Sequence, residues 1–424
     1  MLEKIDRRGR ICYILEELFN YLVTLLVSHS YLAKLTSSLG ISDGLTAILT
    51  SFVTLGCCAQ LLTGVFFKKS KVKGRVSLFF ILNQVLFMLL YLVPFIRIPH
   101  GLRVALFVVL LLFGFFSLNI ASSPRTNWFM SFVDDRKRGV FTAKKEGISL
   151  ATGFVFQLSM GALIDRFETQ GNIQGAFIVC AVVILGLSAA HTLSLVFTED
   201  REAPANDRSV LKGIWDVLSD KKIRPLMLLS AFWGITYSVA IPFYGTYTIK
   251  ELGFSMSFMG VMSLVTAVSR IAASVFLGRY ADKHSFAKML KLCYWVVAAS
   301  FVVASFMRPE NGYVLYPIYT MLEAMAMGGI NSAVINLIFD YVVPEKRTMA
   351  LSVRQTIYGV VGFATSAVAA PLLQMIQNRG NHFLGLQVYG QQVLSVVALI
   401  CTLLMLLYVD RVVIKLHTIH KESL

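Results

Sequence analysis

The sequence predicts an all-α membrane protein: twelve transmembrane helices in two six-helix bundles related by a parallel repeat. Three observations carry this. Hydrophobic residues make up 56% of the 424 and charged residues 15%, where a soluble chain carries about a quarter charged. Long apolar runs recur from end to end, most reaching the roughly 20 residues that hydrocarbon demands. The second half also repeats the first. Tyr31, Leu32, Ala33, Lys34, then Leu39, Gly40, Ile41, Ser42 return as Tyr247, Thr248, Ile249, Lys250, then Leu252, Gly253, Phe254, Ser255.

The apolar runs fall at 11–37, 42–67, 76–96, 102–132, 140–165, 173–197, 225–249, 256–280, 289–307, 313–340, 350–376 and 386–409. An even number of spans puts both termini on one side. Lys and Arg choose the side: 30 of the 39 fall in the ends and loops that would share the N-terminal face. The opposite face holds Lys34, Arg97, Arg103, Arg166, Lys250, Arg308 and Arg379, and only Arg125 and Arg270 lie within apolar runs. The positive-inside rule then makes both termini cytoplasmic. The net charge of +15 is a topology signal, and no basic patch interleaved with aromatics suggests nucleic acid. The basic start, Met1 to Arg10, leads into a run too long for a signal h-region, so the first span is expected to be retained.

Residues 198–224 are the one long polar connection, with Glu199, Asp200, Arg201, Glu202, Pro204 and Asp207 and then an amphipathic stretch around Trp215–Leu218. The domains expected are an N-terminal bundle, 1–197, a linker, 198–224, and a C-terminal bundle, 225–424, with a short tail. The linker reads as a surface tether or as a regulatory loop. Cys12, Cys57, Cys58, Cys180, Cys293 and Cys401 all sit in or beside apolar runs. None has metal-ligand spacing, and they read as packing residues.

The repeat extends to the basic loops. Setting Arg138 against Arg347 also pairs Lys137 with Lys346 and Lys145 with Arg354, and Gly64 falls opposite Gly278. In the second half the loop reads Gly278, Arg279, Tyr280, Ala281, Asp282, Lys283, with Lys288 beyond. On these residues the chain resembles the major facilitator superfamily over essentially its whole length, since Gly-x-x-x-Asp-Arg/Lys is that family's loop signature. The first half departs from it: Lys68 stands where the family has Asp. The resemblance implies a secondary transporter working by alternating access, with the substrate between the halves. It also implies that Asp282 docks near Gly139–Lys145 as a gating latch. Lys68 would face Met349–Arg354, where a cation meets a positive helix end. Lys68 therefore reads as a weakened latch or as a topology marker only.

Charges within spans are costly and so are functional candidates. Glu323, ten residues into span ten, lies near the midplane, where a carboxylate in low dielectric can load and unload a proton. It reads as a proton-coupling group or as a fixed partner of a basic residue such as Arg270. Arg270 itself is structural, or contacts substrate or coupling ion. The resemblance puts spans one and four in one bundle, so Glu16 and Glu17 on span one and Arg125 on span four read as an intra-bundle pair, or the two glutamates as interfacial carboxylates that snorkel to the cytoplasm. Adjacent helix positions point about 100° apart, so at most one glutamate is expected to face Arg125. Lys144, Lys145 and Glu146 are expected at the interface.

The resemblance places spans one, four, seven and ten around the cavity. This draws in Asn20, Asn119, Asn331 and Asn336, with Trp233, Tyr237, Phe243, Tyr244 and Tyr247, as lining or as packing. Gly328 and Gly329 would allow bending or close packing. His29 and His191 are isolated in the sequence and read as polar packing residues rather than proton relays.

No phosphate loop supports ATP-driven transport, no Cys/His cluster suggests a metal, and no cofactor is expected. Span five carries Gly147, Gly153 and Gly161 but lacks the Gly-Pro pattern of many drug–proton antiporters of the family. The expectation is a monomeric, proton-coupled transporter of a small organic solute in the plasma membrane, taking a proton or another coupling ion. Arg125, Arg270 and the aromatics suit an anionic or amphipathic molecule. A transport-inactive receptor on the same fold, a drug exporter and a channel are the other readings.

Overall fold

The computed structural model describes residues 2–67, 71–134, 138–201, 210–342, 344–383 and 386–415. Among them eleven helices are long and apolar enough to cross a membrane, or twelve if the pair Asp6–Leu26 and His29–Ser38 forms one span. That pair bends by 42° at His29, whose φ of 45° lies in the left-handed region that interrupts a right-handed helix. Spans two to six are Asp43–Leu62, Lys73–Phe95, His100–Met130, Lys144–Thr169 and Ile173–Val196. Spans seven to twelve are Arg224–Glu251, Met256–Lys283, Phe286–Ser305, Gly312–Tyr341, Met349–Asn378 and Gly390–Val413. The one strand pairing among the described residues is a two-residue antiparallel contact, His382–Phe383 with Leu386–Gln387.

Besides the bend in span one, span three ends in a short 3-10 turn, Val93–Phe95, and span twelve in a wide-turned stretch, Val409–Val413; spans two and seven depart further from a regular α-helix. Span two passes from Asp43–Thr50 and Phe52–Leu55 into a tighter 3-10 stretch, Gly56–Leu62. Span seven breaks after Arg224–Ser238, turns tightly through Ile241–Phe243 and ends in a wide-turned stretch, Tyr247–Glu251. Pro242 causes the break, because it has no N–H to give the carbonyl four residues back. That carbonyl, on Ser238, accepts instead from the Ser366 hydroxyl at 3.0 Å. The Ala240 carbonyl accepts from Gln391 Nε2 at 3.0 Å. Pro124 in span four has the same effect, and the Ile120 carbonyl it leaves open accepts from the Thr63 hydroxyl at 2.8 Å. In hydrocarbon no water is at hand, so a neighbouring helix must supply each donor.

Tertiary contacts group the chain into two units. Unit one holds Met1–Ser42, Gly56–Arg208 and Phe254–Val261; unit two holds Asp43–Leu55, Ser209–Gly253 and Met262–Leu424. Spans two and eight thus divide their lengths between the units. The core of unit one is aromatic, with Tyr13, Phe80, Trp128, Phe129 and Phe132 buried together and Tyr13 stacked on Phe129 at 4.7 Å. Also within unit one, Asp165 caps the start of span eight. It accepts from the Met256 and Ser257 amides at 2.8 Å each and from the Ser257 hydroxyl.

In unit two, span ten packs tightly on its neighbours. A Cβ on Gly328 would lie 2.8 Å from the Arg270 carbonyl oxygen, and one on Gly329 2.6 Å from Cys293 Sγ. Close packing is therefore what these glycines serve. The linker stretch around Trp215 is helical over Val210–Ser219, with Trp215 exposed and Val217 buried. Glu202, Pro204 and Asp207 lie outside the described residues.

Candidate functional site

In unit one the charged residues of three spans converge. Arg125, next to Pro124 on span four, reaches span one with both arms of its guanidinium. Nη1 lies 3.2 Å from Glu16 Oε1 and Nη2 lies 2.9 Å from Glu17 Oε2. Glu16 is fully buried, and Arg125 is 9% exposed. The expectation that at most one glutamate would face Arg125 is therefore corrected. A planar fork with separate donors can bridge two neighbouring positions that a single point charge would have to choose between.

Two residues join the cluster against expectation. Lys145 is buried rather than interfacial: its Nζ lies 3.2 Å from Glu17 Oε2, donates to the Tyr13 hydroxyl at 3.4 Å and sits over the Tyr13 ring. Lys144 and Glu146 are exposed. His191 on span six is not isolated, since its Nε2 lies 3.1 Å from Glu16 Oε1 and its ring packs on Phe80. Two carboxylates thus share two cations and a histidine within one bundle. A change of protonation or ligation at one member redistributes the hydrogen bonds of the rest.

The polar side chains nearby are partly engaged. Asn119 is buried, donates to the Phe115 carbonyl at 2.9 Å and accepts from Gln60 Nε2 at 3.3 Å. Asn20, one turn beyond Glu16, has a buried Oδ1 with no hydrogen-bond donor among the described residues. His29 marks the bend in span one.

In unit two Glu323 is half-buried on span ten and stands within electrostatic reach of Arg270 on span eight. The close contact at Gly328 fixes the spacing of these two helices. Four tyrosines also feel the Glu323 charge: Tyr237, Tyr244, Tyr316 and Tyr319. Tyr244 stacks on Tyr319 at 4.6 Å, and Trp233 packs on Tyr237 at 5.6 Å. The sequence reading had Tyr237 and Tyr244 but missed Tyr316 and Tyr319, which sit two turns and one turn before Glu323 on the same helix. Their spacing was the available signal. Tyr247 donates to the Met307 carbonyl, and Phe243 is buried. Asn331 is exposed, and Asn336 donates back to the Ser332 carbonyl of its own helix.

The expected gating residues are placed as follows. Asp282 and Lys283 are exposed at the end of span eight. A Cβ on Gly278 meets nothing within 4 Å among the described residues, so no close approach requires glycine there. Arg347 turns back onto its own end of the chain, donating to the Val342 and Phe339 carbonyls at 3.0 Å each. Arg354 donates to Gln355 Oε1. Lys68 lies outside the described residues, and Gly64 and Arg138 are described as helical backbone only. Among the described residues no group of His, Cys, Asp and Glu is arranged to hold a metal.

A buried ion cluster in unit one and a half-buried pair of opposite charges in unit two, each within apolar spans and flanked by aromatics, suit the handling of a small solute rather than a covalent reaction. Comparison with known proteins agrees. A folate-biopterin transporter of Synechocystis sp. is 30% identical over 124 residues, covering 29% of this chain and 24% of that protein. The chain thus matches about a quarter of that relative's length. Among solved structures, a mutant of the nucleoside transporter NupG superposes with a TM-score of 0.68 at 12% identity, over 96% of this chain and 99% of that one. A D-xylose-proton symporter gives 0.64 at 13% identity, over 95% and 97%. At such identities these structures show a shared fold. The family model of the Major Facilitator Superfamily matches residues 11–366 and 226–419, and the chain belongs to that family of membrane transporters.

Proposed function

We propose that the chain is a secondary active transporter that moves a small organic solute by alternating access, driven by the proton gradient. The observation that carries the reading is Glu323: a carboxylate midway along an apolar span, opposed by Arg270 and surrounded by tyrosines. Such a group exchanges a proton when the field around it changes, and movement of an adjacent cation is enough to change that field. Glu16 and Glu17 form the second coupling candidate, with Arg125 as their counter-charge and Asn20 and Asn119 as polar lining in unit one, and Asn331 is a polar candidate of unit two. Trp233 and Tyr237 offer ring faces to a planar solute. The pterin-type solute named for the Synechocystis relative has such a ring, so a ring-bearing organic anion is the substrate class we favour.

The working organisation we infer is a bundle over 1–197, a linker over 198–224 and a bundle over 225–424. The protein acts as a monomer in the plasma membrane, with both termini cytoplasmic. Gly278, Asp282 and Lys283, with Gly64, Lys68, Arg138, Arg347 and Arg354, form the gating loops. Lys68 in place of a carboxylate makes the first-half loop the weaker latch.

The test is proton flux into liposomes that carry the purified protein and an internal pH dye. They are challenged with separate pools of pterins and folates, nucleosides, sugars, organic acids, amino acids and cationic drugs. We expect flux with the pterin pool, abolished in Glu323→Gln. Flux unchanged in Glu323→Gln would remove that residue as the coupling group. Silence with every pool, from protein shown to be folded, would remove proton-coupled transport.

A further inference from the structure

We infer that the Glu251 end of span seven is a binding site for one small monovalent cation of the sodium class. The site lies wholly in unit two, where spans seven, eleven and twelve meet. A cavity there is lined by Tyr247, Glu251, Gln377, Tyr389 and Gln391, among others. It leaves about 10 Å³ for the centre of a water-sized sphere, which is room for a single small species.

The chemistry around this cavity is unbalanced in favour of acceptors. Glu251 is half-buried, and among the described residues its carboxylate receives two long hydrogen bonds, from Gln377 Nε2 and Asn381 Nδ2 at 3.4 Å each. Gln377 Nε2 makes its shorter bond elsewhere, to Asp43 Oδ2 at 2.9 Å. Gln391 is 1% exposed. Its amide nitrogen donates to the Ala240 carbonyl, which leaves its Oε1 buried without a donor among the described residues. Asn381 Oδ1, across the same carboxylate, is buried without a donor as well. The Glu251 carboxylate and the orphaned Gln391 amide thus border a space the size of one atom, with the Asn381 oxygen on the far side of the carboxylate, and buried acceptors of this kind are almost always satisfied.

Charge selects the occupant. Lys250, the cation next in sequence, is committed to Asp43, so Asp43, Lys250 and Glu251 together carry one net negative charge. Arg308 and Glu310 also lie within reach of Tyr389, and their charges cancel. A monovalent cation neutralises the site, whereas a divalent ion would leave it positive and usually recruits more than one carboxylate. All the donors are hard oxygens, which favours sodium over a softer metal. Such an ion would tie the irregular end of span seven to spans eleven and twelve.

The experiment uses the full-length purified protein in detergent. Thermal midpoints are compared in sodium, potassium and choline chloride at equal ionic strength, and bound radioactive sodium is counted per chain. We expect a saturable, sodium-selective rise in the midpoint and one ion per chain. In Glu251→Gln sodium affinity should fall by about tenfold or more, with the midpoint in choline unchanged. Gln391→Met, which removes the orphan oxygen but keeps the volume, should also weaken sodium binding if Glu251→Gln does not fold. The same midpoint in all three salts, with no bound sodium, would mean that the cavity takes water only and would overturn the inference. Sodium binding that is unaltered in both variants would place the ion elsewhere and overturn it equally. Proton flux at Glu323 is read separately, so either proposal can fail without the other.

Discussion

Arg125 shows how much a single side chain decides in an apolar bundle. It holds Glu16 and Glu17 on different arms of one guanidinium, and Glu16 has no access to solvent. Removing one member of a buried pair leaves the other charged and unsolvated, at a cost of about 3–5 kcal/mol. Arg125→Met is therefore expected to lower the unfolding free energy in detergent by roughly that amount. Adding Glu16→Gln to it should recover a large part, because the stranded charge is then gone. Arg125→Met that melts like the wild type would show that the cluster contributes nothing to stability. Part of this site was legible in the sequence: a charge inside an apolar run is conspicuous, and Glu16, Glu17, Arg125, Arg270 and Glu323 stood out for that reason. Lys145 and His191 did not, because their partners depend on the rotation of spans five and six about their own axes. A helix that is apolar nearly all round gives no stripe from which to read that rotation.

At the scale of the element, the informative places are where the helices break. Pro124 and Pro242 each free a carbonyl, and in each case a hydroxyl from another helix takes it: Thr63 for Ile120 and Ser366 for Ser238. The prolines were visible in the sequence. Their partners were not, because they lie 61 and 124 positions away and a lone Thr or Ser in an apolar run has no distinguishing pattern. The pairing makes a testable cycle. Thr63→Val should destabilise the protein by about 1–3 kcal/mol, the cost of a buried acceptor left without its donor. In a Pro124→Ala background, where the residue 124 amide can bond to Ile120 itself, the same change should cost well under half as much. Equal costs in both backgrounds, measured by denaturant unfolding, would show that Thr63 does not stand in for the missing amide. The bend at His29 belongs to the same class: a left-handed residue inside a long apolar run leaves no trace in hydropathy, so span one read simply as the run 11–37.

For the whole molecule, the sequence speaks most clearly through where its positive charge lies. The spans are too uniformly apolar to orient themselves, so the Lys and Arg of the loops must set which way the chain threads. Thirty of the 39 would share the face that holds both termini, and the few on the other face are partly neutralised, as Lys34 is by Glu168 and Lys250 by Asp43. This bias predicts that Gln170, exposed between spans five and six, faces away from the cytoplasm, and that Asp216, exposed on the linker helix, faces into it. The check is thiol labelling of Gln170→Cys and Asp216→Cys in whole cells, on a background in which all six native cysteines are replaced. A reagent that cannot cross the membrane should modify the first from outside and reach the second only after the cells are opened. The reverse pattern would invert the topology. It would also turn the Glu251 end of span seven, which lies on the Gln170 face in this threading, towards the low-sodium side of the membrane, where a sodium site would be filled least.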